Sequence, residues 1–436
     1  MGMAAVNVAI PVLAEDLQAN AIKVSWLPTL YILANVAFML PFGKLADNFG
    51  RKRIYALGLS LNALSALMCA LGTNIDWILF WRFMQGAAGA MIFSTGVAII
   101  TSVTPSKKRG AALGFLAACV YIGLTLAPAV GGWLTELLGW RAVFYFQIPL
   151  VIALLIFMKY KLHGEWKNEQ HSRFDWVGSG IFITFACTLV YGLSKLPSLL
   201  GIGLLIISLL SLVGFIVHQS RDKQPLIRVQ MFRESRVFSL SLTTSFLMYG
   251  SNFAIIFLLS LYLQYIKGFG PAYAGQILLM QALCMAIIAP IAGKLSDRFQ
   301  PRVIATLGCF IVAIGFMFLN QIDTQTTAFY IGGSLGLIGL GFGLFSTPNN
   351  SAIMGAVKEQ EVGVASASMN LSRTIGNLVG MSLVNLMIHY YIGDANFTAE
   401  SNPALMSTIS LALLMSLSFV ILATVMSAIR GKQLVS

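Results

Sequence analysis

Charged side chains are scarce in this sequence, and acidic ones are the scarcest. Its 436 residues include 28 Lys and Arg and 16 Asp and Glu, so that 10% of the chain is charged. Soluble domains carry about 25% charged residues. Hydrophobic residues make up 57% of the chain, and a soluble core of this size could not bury so much apolar surface. The composition therefore excludes a soluble globular protein and predicts one that lies in a lipid bilayer.

Histidine and cysteine are also few, and neither is clustered. The four histidines are scattered, and the five cysteines fall inside apolar runs without the paired spacing of a metal or redox motif. We therefore predict no metal and no cofactor. Enzymes that act on lipids need clustered His, Asp or Glu near the bilayer surface, so the chain is not predicted to be an enzyme. The longest loops, at about 161–175 and 219–236, are too short for the soluble domain of a sensor or scaffold.

Long apolar runs are what the sequence has instead. Stretches of about 18–25 residues can cross roughly 30 Å of hydrocarbon as helices, and the alternating patterns of water-filled β-barrels are absent. The first stretch is too short to span, so we expect this sequence to start inside the first helix. We predict an all-α integral membrane protein with fourteen membrane helices at about 1–14, 24–42, 53–72, 77–103, 110–135, 141–160, 176–195, 198–218, 237–266, 272–293, 303–321, 327–350, 363–393 and 402–429.

The 28 basic residues are distributed unevenly between the loops. Twenty-two lie on one side of the predicted membrane, four lie on the other side, and Arg82 and Arg373 lie inside helices. Basic loops stay in the cytoplasm. We therefore predict a multi-pass protein of the inner (cytoplasmic) membrane with both termini in the cytoplasm. Nucleic acid is not a predicted partner, although the net charge is +12, because membrane orientation accounts for the basic loops.

One segment of the chain is repeated. GKLADNFGRKR at 43–53 returns as GKLSDRFQPR at 293–302, after the second and the tenth predicted helix. The repeat predicts a duplicated six-helix bundle: an N-terminal bundle at 1–161, a two-helix insert with its flanking loops at 162–236, and a C-terminal bundle at 237–436. The insert carries few polar groups, and we interpret it as a spacer that packs on lipid or on the bundles.

The repeated segment combines glycine, aspartate and basic residues. Glycine permits a very short turn, and an aspartate at a helix end can pair with an arginine and with the dipole of a neighbouring helix. The residues in question are Gly43, Asp47, Gly50, Arg51 and Lys52 in the first copy and Gly293, Asp297 and Arg298 in the second.

Two further predicted helices contain residues that are unusual at membrane depth. An arginine inside a bilayer costs roughly 2.5–3.5 kcal/mol on insertion scales, so Arg82, with Gln85 one turn later, should face a cavity or a partner unless it snorkels to the nearby surface. The helix predicted at 110–135 has small residues and a proline, which let a helix pivot against its neighbours without losing packing. These residues are Gly114, Gly123, Pro128, Gly131 and Gly132.

Together these motifs resemble the major facilitator superfamily, and specifically its fourteen-helix drug:proton antiporter branch, over essentially the whole chain. GFGLFSTPNN at 341–350 and VGVASASMNLSRTIG at 362–376 are also similar to segments of that branch. The resemblance implies that the repeated segment latches the two bundles on the cytoplasmic side. It also implies ion coupling through Arg82 and Gln85 and an antiporter motif within 110–135, where Ala127 replaces the usual glycine.

A substrate site is expected near the bilayer midplane, between the two bundles. The few polar side chains at membrane depth should line it, with Phe and Met as adaptable apolar walls. Each of these polar residues could instead form a hydrogen bond between helices. The candidates are Asn7, Tyr31, Gln85, Tyr249, Asn252, Gln281, Asn349, Asn350, Asn370 and Arg373.

The predicted function is secondary active transport, in which a monomer exports small amphiphilic or cationic, drug-like compounds by alternating access. A specific exporter or importer of one metabolite is the alternative, because cation binding usually requires negative charge. All sixteen acidic residues lie in loops or at helix ends, and Gly2 stands where relatives in the branch place an aspartate. The resemblance implies proton antiport, served by Asp47 and Arg82, whereas the residues leave sodium coupling, uniport and uncoupled transport open.

Overall fold

The computed structural model describes residues 2–18, 21–162, 164–166, 173–222, 224–269, 271–391 and 402–431. Within these ranges the chain is helical and contains no strand, in agreement with the predicted all-α class. A π-helical turn, Tyr262–Ile266, extends α11. The helices are α1 (Gly2–Asp16), α2 (Ala21–Phe49), α3 (Arg51–Ala70), α4 (Ile75–Val103), α5 (Arg109–Leu138), α6 (Arg141–Tyr145), α7 (Gln147–Lys161), α8 (Trp176–Ser194), α9 (Leu199–Arg221), α10 (Gln230–Glu234), α11 (Arg236–Leu261), α12 (Pro271–Ser296), α13 (Pro301–Leu319), α14 (Ala328–Gly355), α15 (Val362–Tyr391) and α16 (Asn402–Ile429).

Local sequence signals explain several of the helix boundaries. Asn74, Asp175, Ser198 and Thr327 each precede a long helix, and each side chain accepts a hydrogen bond from the backbone amide three residues further on. Between α2 and α3 the turn is a single residue, Gly50, with φ of 117°. A side chain there would be strained, which is why this short turn requires glycine.

Twelve helical segments of the described chain are long and apolar enough to cross a membrane, which makes the chain a multi-pass membrane protein. The predicted number was fourteen, and the two helices outside this set are α1, with 15 residues, and α5, in which the apolar segment is Arg109–Leu124. Each of the fourteen predicted stretches nevertheless lies on a helix. The sequence also did not predict that the stretch 141–160 is divided into α6 and α7.

Helix packing brings the two halves of the chain together along two seams. In the first half α2 and α3 pack on α4, and in the second half α12 and α13 pack on α14 while α11 packs on α15. Across the halves, α5 packs on α12, and α2 and α4 pack on α15. The insert helices α8 and α9 pack on each other, and α8 also contacts α2. The predicted boundaries at 161/162 and 236/237 stay a prediction, and both fall at helix termini.

Candidate functional site

The first copy of the repeated segment binds the start of a helix in the other half of the molecule. The carboxylate of Asp47, near the end of α2, accepts hydrogen bonds from the backbone amides of Gly363 and Val364, at 3.0 and 3.1 Å. These amides begin α15, where a helix has free N–H groups and a partial positive charge. We call this contact the Asp47 latch, and the end of the molecule where it lies the latch end.

Arg51 extends the Asp47 latch to two further elements. Its Nε donates to Asp47 Oδ1 at 3.0 Å, its Nη1 donates to Ser102 Oγ at 2.6 Å, and its Nη2 donates to the carbonyl oxygen of Glu359 at 2.7 Å. Ser102 lies at the end of α4, and Glu359 begins the short turn that leads into α15. One guanidinium group therefore ties α3 to both halves of the molecule.

The second copy forms a matching contact in the opposite direction. The carboxylate of Asp297, directly after α12, accepts hydrogen bonds from the amides of Gly110 and Ala111 at the start of α5, at 2.7 and 2.9 Å. We call this contact the Asp297 latch. Arg298 is exposed, and the position equivalent to Arg51 is Pro301. The duplicated aspartate is thus used in both halves, whereas the arginine is used in one.

Glycines allow the helices to approach at both latches. A Cβ atom added to Gly43 would lie 2.8 Å from the Cβ of Ala367, and one added to Gly293 would lie 2.3 Å from the carbonyl oxygen of Gly110. At Gly114 an added Cβ would lie 2.6 Å from the carbonyl oxygen of Ala289. The predicted glycines at these positions are therefore explained by contact between the two halves.

The other residues predicted in α5, and Lys52 of the first repeated segment, are not part of the two latch contacts described above. Gly131 is buried, and Gly123 and Gly132 are half-buried in α5, while the side chain of Pro128 lies outside the described part of the structure. The backbone amide of Lys52 donates to Glu165 Oε1 at 2.8 Å, and its Nζ donates to the carbonyl oxygen of Leu162. Lys52 therefore binds the segment that leads to the insert rather than the other bundle.

Arg82 is buried inside the N-terminal half and does not snorkel. Its side chain has no exposed surface, and its guanidinium carbon lies 4.8 Å from the ring centroid of Tyr31. Nε donates to the carbonyl oxygen of Leu27 at 3.3 Å, and Nη1 donates to Gln85 Oε1 at 2.5 Å. Gln85 in turn donates to Gln147 Oε1 at 3.2 Å. Nη2 has no hydrogen-bond partner.

Arg373 occupies a comparable environment in the C-terminal half. Its guanidinium carbon lies 5.1 Å from the ring centroid of Tyr249, and Nη2 donates to Asn350 Oδ1. The ring of Tyr249 packs edge-on against Phe342, with centroids 5.0 Å apart. Arg373 is half-buried, and its Nε has no hydrogen-bond partner. Three helices, α11, α14 and α15, contribute these residues.

The remaining predicted cavity residues fall into separate contacts. Gln281 donates to Asn252 Oδ1 at 2.6 Å, which joins α12 to α11 within one half. Asn370 donates to the carbonyl oxygen of Phe93 at 2.9 Å, which joins α15 to α4 across the halves. The side chain of Asn7 lies outside the described part of the structure. The structure therefore brings Tyr31 to Arg82 and Tyr249 to Arg373, but it does not bring the whole predicted set together.

Asn349 belongs to a buried network that the sequence reasoning missed. It donates to the carbonyl oxygen of Ser241 at 3.1 Å and to Ser245 Oγ at 2.9 Å, and its Oδ1 accepts from Arg430 at 2.6 Å. Arg430 is 1% exposed and follows α16, at the latch end. Because it lies at a helix end, the sequence pattern treats it as one more basic residue of the cytoplasmic surface.

One group of described residues has the donor atoms of a metal site but serves another purpose. Asp175, His218 and Asp222 offer ligand atoms within 4.8 Å of one another. Asp175 already accepts from the amide of Gly178 and from Gln219 Nε2, both at 2.7 Å. Burial alone would raise the pKa of Asp175, but the hydrogen bonds from Gly178, His218 and Gln219 outweigh it and lower the pKa. This cluster caps α8 and ties it to α9.

Carboxylates are confined to the ends of the described helices. Every Asp and Glu in the described ranges lies between helices or within two residues of a helix end. Arg82 and Arg373 are therefore charged groups deep in the helical part of the molecule, and the groups that they bind are neutral oxygens.

Comparisons with known proteins agree with this architecture. Residues 1–381 match the family model described as Major Facilitator Superfamily. The chain is 30% identical over 378 residues to the riboflavin transporter RibZ of Clostridioides difficile (strain 630), which covers 86% of this chain and 82% of that protein. It is 28% identical over 389 residues to the multidrug resistance protein Stp of Mycobacterium tuberculosis (strain CDC 1551 / Oshkosh), which covers 88% of this chain and 72% of that protein.

A solved structure shows the same fold. The proton:xylose symporter XylE, bound to 6-bromo-6-deoxy-D-glucose, is similar with a TM-score of 0.69 over 99% of this chain and 92% of that chain, at 13% sequence identity. At this sequence identity the similarity shows the fold alone and gives no information about the substrate.

Proposed function

Because the chain belongs to the Major Facilitator Superfamily, whose model it matches over residues 1–381, we propose that it exports small amphiphilic organic compounds by alternating access. The family and the named relatives make it a membrane transporter rather than an enzyme. The observation that carries the proposal is the pair of latches, in which Asp47 and Asp297 bind backbone amides in the first turn of α15 and of α5. Hydrogen bonds of this kind can form and break as two rigid bundles rock.

We propose that the latch end faces the cytoplasm of the inner membrane and that both termini lie there. The basic residues support this orientation, since the sequence pattern assigns 22 of the 28 to the side of the membrane that carries the repeated segment. In the state described here the latches close the cytoplasmic side. A substrate between Arg82 and Arg373 would then be released toward the opposite end, and opening the latches would return the site to the cytoplasm.

We propose that α1 and α5 also cross the membrane, which gives the fourteen helices of the drug:proton antiporter branch. The 30 residues of α5 begin at the Asp297 latch. At the opposite end Trp140, which follows α5, donates to Asp16 Oδ2 at 2.9 Å, and Arg141 donates to the same oxygen at 2.8 Å. A helix of this length spans about 45 Å, so its two ends reach both surfaces. We further propose that the monomer is the transporting unit.

Proton antiport is the proposed driving reaction, with the latch carboxylates as the proton acceptors. Protonation of Asp47 would remove the negative charge that faces the start of α15 and the guanidinium of Arg51. The same reasoning applies to Asp297 and α5. Proton binding would thereby favour the open latch, which couples the proton to the change of access. Arg82 and Gln85 act in the substrate site, since the described partners of Arg82 include no carboxylate.

A specific transporter of one metabolite is a second candidate, and one observation favours it. The charged groups deep in the molecule are two arginines rather than carboxylates, which gives a cationic drug no opposite charge to bind. One relative is named a riboflavin transporter, after one metabolite. We therefore propose amphiphilic compounds, rather than cationic ones, as the preferred substrates.

The test uses purified protein in liposomes with an acidic lumen. Two dyes that share a xanthene ring system, the cation rhodamine 123 and the anion carboxyfluorescein, are offered outside, and the trapped dye is measured after detergent lysis at fixed pH. We expect uptake of at least one dye, and its loss when a protonophore is added. If neither dye enters liposomes that contain folded protein, the proposed export function is wrong.

A further inference from the structure

Two arginines deep in the molecule share an unusual set of contacts. Arg82 lies over the ring of Tyr31, and Arg373 lies over the ring of Tyr249. Among the residues that the structure describes, each guanidinium group has one buried nitrogen without a hydrogen-bond partner, Nη2 in Arg82 and Nε in Arg373. Buried polar groups are normally paired, so an unpartnered N–H on a fully buried arginine indicates a group that the protein keeps available.

No negative charge compensates either arginine within the described chain. The hydrogen-bond acceptors of Arg82 are the carbonyl oxygen of Leu27 and the amide oxygen of Gln85, and that of Arg373 is the amide oxygen of Asn350. A buried charge is normally paired with an opposite charge or a hydrogen-bonded network. Because neutral oxygens rather than carboxylates accept these hydrogen bonds, the electrostatic potential around the two arginines is positive.

The two arginines lie on helices whose relative position is fixed by a contact across the halves. Asn370 of α15 donates to the carbonyl oxygen of Phe93 of α4. From this contact toward the end opposite the latches, Arg82 lies eleven residues from Phe93 along α4. Arg373 lies three residues from Asn370 along α15 in the same direction. At 1.5 Å per residue the two arginines differ in depth by roughly 12 Å, a span that one organic molecule can bridge.

An unpartnered nitrogen alone does not identify a substrate-binding arginine, and Arg430 is an example. Its Nη2 also lacks a partner, but the residue follows α16 at the latch end and binds Ser241 and Asn349 inside one half. Arg82 and Arg373 differ from it because they belong to different halves and lie beyond the latches, toward the opposite end.

From these observations we propose that the compound exported by this protein is an organic anion, whose carboxylate, sulfonate or phosphate group binds Arg82 and Arg373. The inference deepens the proposed transport function and rests on it. Arginine binds such groups through paired, charge-assisted hydrogen bonds. Tyr31, Tyr249 and Phe342 supply aromatic surface for the apolar body of the compound. Binding would provide the opposite charge that the protein itself lacks.

The experiment compares the two xanthene dyes in liposomes with an acidic lumen. Wild-type protein should take up carboxyfluorescein at least tenfold faster than rhodamine 123 at equal concentrations. Arg373→Gln should lower carboxyfluorescein uptake at least tenfold, mainly through a higher KM, and Arg373→Lys should restore part of it. Arg233→Gln is the matched control, because Arg233 is exposed on the short helix α10, and its uptake should equal that of the wild type.

The outcomes separate this inference from the transport function on which it rests. Uptake of rhodamine 123 without carboxyfluorescein would leave transport standing and overturn the anion inference. Uptake of carboxyfluorescein that is unchanged in Arg373→Gln would also overturn it. Arg82→Gln is a second variant, and saturable quenching of tryptophan fluorescence by carboxyfluorescein in detergent provides a readout that does not depend on transport. Binding that is equally tight in both variants and in the wild type would contradict the proposal.

Discussion

At the scale of single residues, the two latch aspartates carry the contact between the bundles. Each carboxylate uses both of its oxygens to accept the amides of the second and third residues of a helix in the other half. Hydrogen bonds to charged groups contribute about 1.5–3 kcal/mol each, so the closed latch depends strongly on the negative charge.

Asp47→Asn and Asp297→Asn test the latch charge. An amide keeps one acceptor oxygen and loses the charge, so we expect the closed state to lose about 1.4–3 kcal/mol, which is about 10–100-fold in its population. Proton-driven dye uptake in liposomes should fall at least tenfold in either variant. Asp76→Asn is the matched control, since Asp76 binds Lys23 at 2.7 Å at the opposite end, within one bundle. Equal uptake in all three variants would refute the role of the latch charge.

A glycine variant tests the close approach of the helices rather than the charge. In Gly293→Ala the new Cβ would lie 2.3 Å from the carbonyl oxygen of Gly110 and 3.1 Å from the Cα of Gly114. Because backbone atoms cannot move aside cheaply, α12 should separate from α5 and uptake should fall at least tenfold. Gly203→Ala is the control, since an added Cβ there meets nothing within 4 Å. Normal uptake by Gly293→Ala would show that the helices part more easily than the structure indicates.

The residue scale also shows how far sequence reasoning reached. The repeat of glycine and aspartate at a fixed spacing singled out the two segments, and the family resemblance implied that they act as a latch. The partners of Asp47 are backbone amides some 316 positions away, and a backbone amide leaves no signature in a sequence. Arg430 was missed for a related reason, since the sequence does not distinguish a buried arginine at a helix end from an exposed one.

At the scale of helices and loops, the insert does more than separate the bundles. Glu165, in the segment before the insert, accepts the amide of Lys52 at 2.8 Å. After the insert, Arg228 Nε lies 2.6 Å from Glu361 Oε1, beside the start of α15. The insert is therefore attached to both halves at the latch end, which its apolar sequence did not indicate. The packing of α8 on α2 attaches the insert to the N-terminal half, and the buried contact of α8 with α9 anchors the two insert helices to each other.

Asp175→Ala tests that anchor. The variant removes the cap of α8 and the acceptor of Gln219, and we expect a loss of about 1–2 kcal/mol of stability at pH 7. The folded pKa of Asp175 lies below the ordinary value. Its stabilisation is therefore complete above the unfolded pKa of about 4 and is lost as the pH falls through the folded pKa.

The measurement is thermal unfolding of the detergent-solubilised protein across this pH range. The melting temperatures of the wild type and of Asp175→Ala should differ at pH 7 and converge on acidification. Asp222→Ala is the matched control, because the Asp222 carboxylate lies 3.7 Å from His218 and accepts the exposed amide of Gln224 rather than an amide of α8. A difference between the wild type and Asp175→Ala that is constant with pH would contradict a role for the carboxylate charge.

Hydrophobic length predicts where helices lie better than where they end. All fourteen predicted stretches lie on helices, yet α2 continues to Phe49, seven residues past its predicted end at 42, because Asp47 and its neighbours pack against α15. Similarly, α14 continues to Gly355. Contacts between distant segments extend these helices beyond their apolar part, and the local sequence does not encode such contacts.

At the scale of the whole molecule, the bundle duplication that we infer from the repeated segment would explain why two equivalent latches exist. The segment lies at the end of α2 and at the end of α12, where it meets the start of α15 and the start of α5. A two-fold arrangement of this kind allows the bundles to rock while each keeps its own core. Under the proposed alternating access, the polar groups around Arg82 in one half and Arg373 in the other would be exposed to one side of the membrane at a time.

The most direct test of alternating access is a pair of distances measured by spin labels in liposomes. In a cysteine-free background, labels at Lys107 and Arg298 report on the latch end, and labels at Thr73 and Gln325 report on the opposite end; all four residues are exposed. On acidification or in Asp47→Asn, we predict that the latch-end distance lengthens while the opposite-end distance shortens. If both distances stay constant, or both change in the same direction, alternating access through these latches is contradicted.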